Sequence, residues 1–224
     1  MSDLVFTPVA HIRTDFPTKF GVPRQSGRTA LEARVVFEPP YRDANALRGL
    51  AAFSHLWLVW VFSDSLGAGW SPTVRPPRLG GNRRMGVFAT RSPFRPNPIG
   101  LSAVRLLRVE TTPDGPVLVV AGADMRDGTP ILDVKPYLPY ADCLPEATGG
   151  WTDLIPRKPL EVVFPADVPP ALADELRPVL ADDPRPGYDD EPGRVHGFLF
   201  RSLDVRFTVS DGVVTVVSLD RISE

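Results

Sequence analysis

The chain has 224 residues and a formal net charge of -2, so it is long enough to bury a core of its own. Its single cysteine, Cys143, excludes an internal disulfide framework and a cysteine-rich zinc site, and its three histidines show no metal-ligand spacing. The longest apolar run, at 56–62, is too short to span a bilayer, and the N-terminus lacks the features of a signal peptide. We therefore expect a cytoplasmic protein that binds neither a metal nor a membrane.

Five segments in the first part of the chain are rich in branched and aromatic residues, which predicts β-strands. They span 4–13, 30–37, 55–62, 101–109 and 116–123. The apolar positions of 101–109 do not alternate cleanly, which predicts a strand covered on both faces. Between the strands, an aspartate and helical apolar spacing predict a short helix over 43–53, and TTPDGP at 111–116 predicts a hairpin turn. Many short strands with few helices indicate a barrel or a closed sheet.

The character of the sequence changes in its last third. We predict one strand within 154–164, a proline-started amphipathic helix over 169–183 and a linker-like loop over 183–193. Three further strands are predicted at 195–200, 204–209 and 213–219. The fold is therefore predicted to be mainly β, with a β-rich domain over 1–145 and a small α+β domain over 155–224.

Charge is distributed unevenly along the chain. No acidic residue occurs from Ser65 to Val109, whereas arginines recur throughout that segment. Acidic residues dominate from Glu161 to Arg194. An acid-free block of this length indicates that the segment 65–109 faces an anionic partner.

Three polar segments are the strongest candidates for a functional site. KFGVPRQSG at 19–27 and RSPFRPNPIG at 91–100 combine basic side chains with prolines that fix the backbone, and 124–142 combines four aspartates with a lysine and two tyrosines. Asp133 and Lys135 would lie on the same face of one strand, a spacing that fits an ion pair at least as well as catalysis. From composition alone, the chain is a β-rich domain with an anion-binding face.

These segments resemble a known family, the TsaA-like proteins, also called tRNA methyltransferase O. The resemblance rests on GVFATRSPFRPNPIGLSAVRLL, VRPPRLGGN, FSHLWLV and DGTPILDVKPYLPYAD, and it extends from VPRQ (22–25) to DVRF (204–207). It implies a small β-barrel of the TsaA-like, non-Rossmann type that works as a homodimer. It also implies methyl transfer from S-adenosyl-L-methionine to N6 of threonylcarbamoyladenosine at tRNA position 37, next to the anticodon.

The resemblance also implies roles for particular residues. The cofactor site is expected on Pro23, Arg24, Gln25, Ser63, Asp64, Arg91, Leu101, Asp124, Met125, Arg126 and Asp127. We hypothesise that Asp133 is the general base that removes the proton of N6, with Lys135 or Arg95 holding the threonyl carboxylate. Tyr137 and Tyr140 would stack on the adenine or order the loop. The phosphates of the anticodon arm would be held by Arg75, Arg78, Arg83, Arg84 and Arg95.

Two other functions fit the residues. A non-catalytic RNA-binding β-barrel module could use the same basic face, because barrels bind oligonucleotides. An enzyme of another class could use the arginines to hold a phosphorylated small molecule. Methyl transfer to tRNA discriminates against the first alternative, and binding of S-adenosylmethionine discriminates against the second.

Overall fold

The computed structural model describes residues 4–80, 83–155, 158–185, 191 and 193–222. The strands of its first part are β1 (Ala10–Arg13), β2 (Glu32–Phe37), β3 (His55–Val61), β4 (Thr73–Val74), β5 (Met85–Gly86), β6 (Ile99–Thr112), β7 (Gly115–Ala121) and β8 (Pro130–Pro136). Six of them close into an antiparallel barrel in the spatial order β1–β2–β7–β6–β3–β8. Strands β4 and β5 form a separate two-stranded ribbon, and a short helix, α1 (Pro139–Asp142), follows β8. The predicted β-barrel is thereby confirmed.

The barrel core is built from alternate residues of each strand. In β3, Leu56, Leu58 and Trp60 point inward and are buried, while their neighbours remain partly exposed. The prediction that the strand at 101–109 is covered on both faces is wrong, because burial alternates along β6 from Ile99 onward. The alternation is hidden in the sequence because apolar Leu101 is exposed whereas polar Ser102 points inward, as does Gly100 just before the predicted segment. A Cβ at Gly100 would lie 2.2 Å from Cε2 of Trp60, so the indole ring fills the space that a side chain would occupy.

Two other local predictions need correction. The segment 43–53 contains two 3-10 turns, Ala44–Leu47 and Leu50–Ala52, instead of one continuous helix. Gly49, which precedes the second turn, has a φ of +86°, a left-handed conformation that a continuous right-handed helix cannot contain. The first strand begins at Ala10 rather than at residue 4, and residues 4–7 are exposed.

The C-terminal part forms a second, smaller α+β unit. Its elements are β9 (Glu161–Val163), α2 (Pro170–Ala181), β10 (His196–Phe200), β11 (Leu203–Ser210) and β12 (Val213–Arg221). The four strands pair in the order β10–β11–β12–β9, with only β9 parallel to its neighbour. Helix α2 packs Leu176, Val179 and Leu180 into the core of this unit. Most of the predicted linker over 183–193 lies outside the described residues.

The connection between β1 and β2 packs against this second unit. Phe16 is buried in its core, where it meets Phe200 at a ring-centroid distance of 5.6 Å. Gly21 lies so close to Phe198 that a Cβ would be 2.3 Å from Cδ2 of that ring. The core of the C-terminal unit therefore contains residues from the N-terminal part of the chain. No helix of the described residues is long and apolar enough to cross a membrane.

Candidate functional site

Strand order and direction bring three connections to one end of the barrel. Strands β1, β3 and β7 end there, and β2, β6 and β8 begin there. The connections 14–31, 62–98 and 122–129 therefore emerge together, and we call this region the loop end. The predicted cofactor residues all lie in these connections, except for Leu101, which is the third residue of β6.

The connection 62–98 is stiffened by its own contacts. The N–H of Phe62 donates to the carbonyl of Pro98 at 2.8 Å, which closes the base of the connection. Half-buried Arg95 turns inward, and its Nη1 donates to the carbonyls of Thr90 at 3.1 Å and Ser92 at 3.4 Å. Arg95 thus holds the proline-rich loop in shape, in addition to any contact that its other N–H groups make with a ligand.

Arg91 links this connection to the other two. Its Nη1 donates to Oε1 of Gln25 at 2.6 Å. Burial raises the pKa of the Asp124 carboxyl above its usual value. The positive charge of Arg91 acts in the opposite direction and offsets part of this rise. The structure therefore brings together Gln25, Arg91 and Asp124, which are far apart in the sequence.

Two residues that were not predicted hold the Asp124 carboxylate. The Ser102 hydroxyl donates to Oδ1 of Asp124 at 2.5 Å, and the indole N–H of Trp60 donates to the same hydroxyl oxygen at 2.9 Å. The backbone N–H of Ser26 also interacts with the carboxylate. The sequence signal was a serine at an inward position of β6, because a polar residue at such a position needs a hydrogen-bonding partner.

Among the other predicted cofactor residues, Asp64 and Arg126 pair with each other, whereas Met125 and Asp127 support the barrel. Asp64 forms a two-point ion pair with Arg126, with Nε–Oδ2 and Nη2–Oδ1 distances of 3.1 and 3.0 Å. These two residues come from different connections, and both remain partly exposed. Met125 is 1% exposed and belongs to the barrel core, so only its backbone can face a ligand. Asp127 accepts the backbone N–H of Thr14 at 3.0 Å and so supports the end of β1.

The VPRQ segment is held from the side of the C-terminal unit. Pro23 is buried. Nη2 of Arg24 donates to the carbonyl of Asp183 at 2.9 Å and also to the carbonyl of Arg185. Two N–H···O contacts to the backbone of that segment fix the Arg24 side chain, so part of its hydrogen-bonding capacity is already used inside the protein.

The predicted base lies on the outer wall of the barrel, near the loop end. Val59 of β3 pairs with Leu101 on one side and with Asp133 on the other, so these three side chains share one face. Two strand spacings separate Leu101 from Asp133, which is about 10 Å. The Lys135 ammonium lies 2.7 Å from Oδ2 of Asp133, so the two side chains form the ion pair that their spacing suggested.

The two predicted tyrosines lie elsewhere. The N–H of Tyr137 donates to the carbonyl of His55, at the barrel end opposite the loop end, and its ring lies 5.5 Å from that of Trp57. Tyr140 is 87% exposed on α1. Four residues of strand separate Asp133 from Tyr137, or roughly 13 Å. Within one chain, the structure does not bring the tyrosines to the cofactor residues.

The predicted phosphate-binding arginines are mostly exposed on the connection 62–98. Arg75, Arg83 and Arg84 are exposed, and Arg84 donates from Nη1 to the Thr73 hydroxyl at 2.8 Å. The Arg78 side chain lies outside the described part of the structure. In the described residues, no group of histidine, cysteine or acidic side chains is arranged to hold a metal ion.

The residues of the loop end fit S-adenosylmethionine. The buried Asp124 carboxylate and the partly exposed Asp64 carboxylate can accept ribose hydroxyls and complement positive charge. Leu101, 53% exposed, offers an apolar contact. The buried Thr29 hydroxyl has no hydrogen-bond partner among the described residues, and the Thr29 carbonyl lies near Gly122 at the base of the loop end. A separate cavity of about 380 Å³ lies in the C-terminal unit, between α2 and β11, and contains none of these groups.

Comparison with known proteins identifies both parts of the chain. The family model described as the tRNA-methyltransferase O N-terminal domain matches residues 11–143, and the model described as the TrmO C-terminal domain matches residues 161–222. A tRNA (adenine(37)-N6)-methyltransferase of Escherichia coli K12 is 48% identical over 169 residues, which cover 75% of this chain and 72% of that protein. A protein of the same name from Eikenella corrodens is 48% identical over 170 residues, covering 74% of this chain and 96% of the relative. A crystal structure of TrmO from Pseudomonas aeruginosa superposes with a TM-score of 0.79 at 32% identity, covering 98% of this chain and 99% of that one.

Proposed function

Because the chain belongs to the tRNA-methyltransferase O family, we infer that it is an S-adenosylmethionine-dependent tRNA (adenine37-N6)-methyltransferase. The observation that supports this function is the convergence of predicted cofactor residues at the loop end. There, the largely buried carboxylate of Asp124 and the arginine–glutamine pair converge from three connections, and the exposed Leu101 lies near the start of β6. As finer proposals, we add that the adenosine carries a threonylcarbamoyl group and that the enzyme acts in the cytoplasm.

The cofactor would be held mainly by the connections 14–31 and 122–129. S-adenosylmethionine supplies an activated methyl group. Asp124, fixed by Ser102, would accept hydrogen bonds from hydroxyl groups of the ligand. Gln25 and Arg91 hold each other in position at the loop end, where they would contact the cofactor. The protein therefore contributes mostly alignment, because a donor that is already activated needs little further chemistry.

The acceptor nitrogen would be activated on the outer wall. N6 of the modified adenosine is an acylated nitrogen with one hydrogen, and Asp133 is a carboxylate two strands away from Leu101 on that face. We assign Asp133 as the group that accepts this proton. Lys135, 2.7 Å from Asp133, would exchange part of that ion pair for the threonyl carboxylate of the substrate.

We propose that the protein is a homodimer, in which the tyrosines of one copy reach the cofactor site of the other. Tyr137 and Tyr140 lie at the far end of the barrel from the cofactor residues of their own chain. They could act on the adenine bound at one site only from a second copy. Exposed Ile99 and Leu101 provide an apolar surface beside Asp133 for such a contact. Sedimentation equilibrium should give the mass of a dimer, and a strictly monomeric enzyme that methylates tRNA would contradict this arrangement.

Single-turnover methyl transfer tests the proposed function. We expect transfer from labelled S-adenosylmethionine to tRNA that carries threonylcarbamoyladenosine at position 37, and little or none to the same tRNA without that group. Tight tRNA binding without any transfer would favour the RNA-binding module. Absence of S-adenosylmethionine binding in equilibrium dialysis would favour an enzyme of another class.

A further inference from the structure

Three large aromatic side chains project from the connection 62–98 without an explained role. Trp70 is 56% exposed, Phe88 is 76% exposed and Phe94 is 43% exposed. Val87, next to Phe88, is buried, and the paired strands β4 and β5 connect the segments of Trp70 and Phe88 along the chain. Exposing three aromatic rings costs hydrophobic free energy, which a binding partner would recover.

The backbone segments that carry the three rings lie next to one another. The N–H of Ser71 donates to the carbonyl of Phe94 at 3.3 Å, and the N–H of Val87 donates to the carbonyl of Pro72 at 3.0 Å. Residues 70–72 therefore lie between the two segments that carry Phe88 and Phe94. Within the described residues, none of these three rings packs against another aromatic ring, although the Lys19 ammonium lies 6.0 Å from the centre of the Phe94 ring.

The charge around the rings indicates the chemistry of the partner. The segment 65–109 contains no acidic residue, and exposed Arg75, Arg83 and Arg84 lie on the same connection. If a second copy covered this surface through a two-fold axis, the arginines of both copies would face each other, and like charges oppose such a contact. A polyanion that also offers flat apolar faces avoids that cost.

We propose that Trp70, Phe88 and Phe94 form a stacking surface for unpaired bases of the anticodon loop, and that the neighbouring arginines hold the adjoining phosphates. This inference rests on the proposed function, because it assigns the tRNA a docking surface beside the methyl-transfer site. Bases in a duplex are stacked on each other and present only their edges, whereas unpaired loop bases offer faces to aromatic rings. The aromatic residues therefore select a loop, and the arginines bind any phosphate backbone.

Binding measurements with two RNAs separate these roles. The probes are an anticodon stem–loop with unmodified adenosine at position 37 and a blunt duplex of the same stem sequence. We expect Trp70→Ala and Phe88→Ala to weaken binding of the stem–loop by roughly 5- to 100-fold each, and binding of the duplex hardly at all. Trp70→Phe should restore most of the loss. Phe6→Ala is the matched control, because Phe6 is 59% exposed in the segment before β1, away from the loop end.

The salt dependence provides a second criterion. Arg75→Ala and Arg83→Ala should weaken binding of both RNAs. Each should also reduce the slope of log affinity against log salt concentration by about one, whereas the aromatic variants should leave that slope unchanged. The inference is overturned if the aromatic variants bind the stem–loop like the wild type, or if they lose dimerisation while RNA binding is intact. Methyl transfer by the wild type is measured in parallel. If the protein binds the stem–loop in preference to the duplex but transfers no methyl group, the proposed function is overturned while the stacking surface is not.

Discussion

Replacing Gly21 by alanine tests whether the C-terminal unit supports the cofactor connection. Gly21 has a φ of +91°, and a Cβ there would lie 2.3 Å from Cδ2 of Phe198. The left-handed backbone alone costs an L-residue roughly 1–2 kcal/mol. Forcing a methyl group into the ring adds roughly 1–3 kcal/mol of overpacking. We therefore expect the free energy of unfolding to fall by about 2–5 kcal/mol in total.

Gly49 provides a matched control. Its φ of +86° is nearly the same, but a Cβ there would meet no atom within 4 Å. Gly49→Ala should therefore lose only the backbone part, about 1–2 kcal/mol. It should also leave S-adenosylmethionine affinity unchanged. Gly21→Ala should weaken that affinity, because the displaced connection carries Arg24 and Gln25.

The measurements are urea denaturation and equilibrium dialysis with labelled S-adenosylmethionine. In the double variant Gly21→Ala/Phe198→Ala the added methyl group has space, so the two substitutions should cost less together than the sum of the single effects. Equal stability and equal cofactor affinity of Gly21→Ala and Gly49→Ala would contradict this role of the Gly21–Phe198 contact. Strict additivity of the double variant would refute it as well.

The remaining predictions concern the carboxylates. Burial raises the pKa of Asp124, so its carboxylate becomes protonated at a higher pH than an ordinary aspartate. As the pH is lowered, S-adenosylmethionine affinity should therefore fall in a step at that higher pH. Asp124→Asn should remove this step. Ser102→Ala should move the step to still higher pH, because the hydroxyl that stabilises the ionised form is lost; a curve that does not move argues against this contact. Asp133→Asn should abolish single-turnover methyl transfer with S-adenosylmethionine affinity near normal, and surviving turnover would exclude Asp133 as the base. When the Asp133→Asn and Tyr140→Ala proteins are mixed, half of the dimers contain one copy of each. If each site combines residues of two copies, one of the two sites in such a dimer is intact, so about a quarter of the activity should return. If the sites are formed within one chain, no activity should return.

The strands of the barrel were predictable because branched and aromatic residues mark them. β6 is the instructive exception. Its inward positions include Gly100 and Ser102, so the apolar pattern alone gives no clean alternation. Gly100 makes sense only once the Trp60 indole is known to fill the space beside it. Local periodicity contains no information about a partner 40 residues away, and that partner decides which small residues face the core.

The site was predictable as segments, but its geometry was not. The resemblance pointed to Gln25, Arg91 and Asp124, yet their convergence depends on the direction of six strands around the barrel. The same topology carries Tyr137 to the opposite end, which strand propensity could not reveal. Arg24 is committed in part to the backbone at Asp183, a contact that depends on how the C-terminal unit packs.

We propose that the loop end of the barrel binds the cofactor. Titration of the isotopically labelled protein with S-adenosylmethionine, followed by backbone amide NMR spectra, tests it most directly. We predict that the largest shift changes fall in the connections 14–31, 62–98 and 122–129 and at Leu101. Changes concentrated around α1, or around the cavity lined by Leu172 and Arg221, would exclude cofactor binding at the loop end.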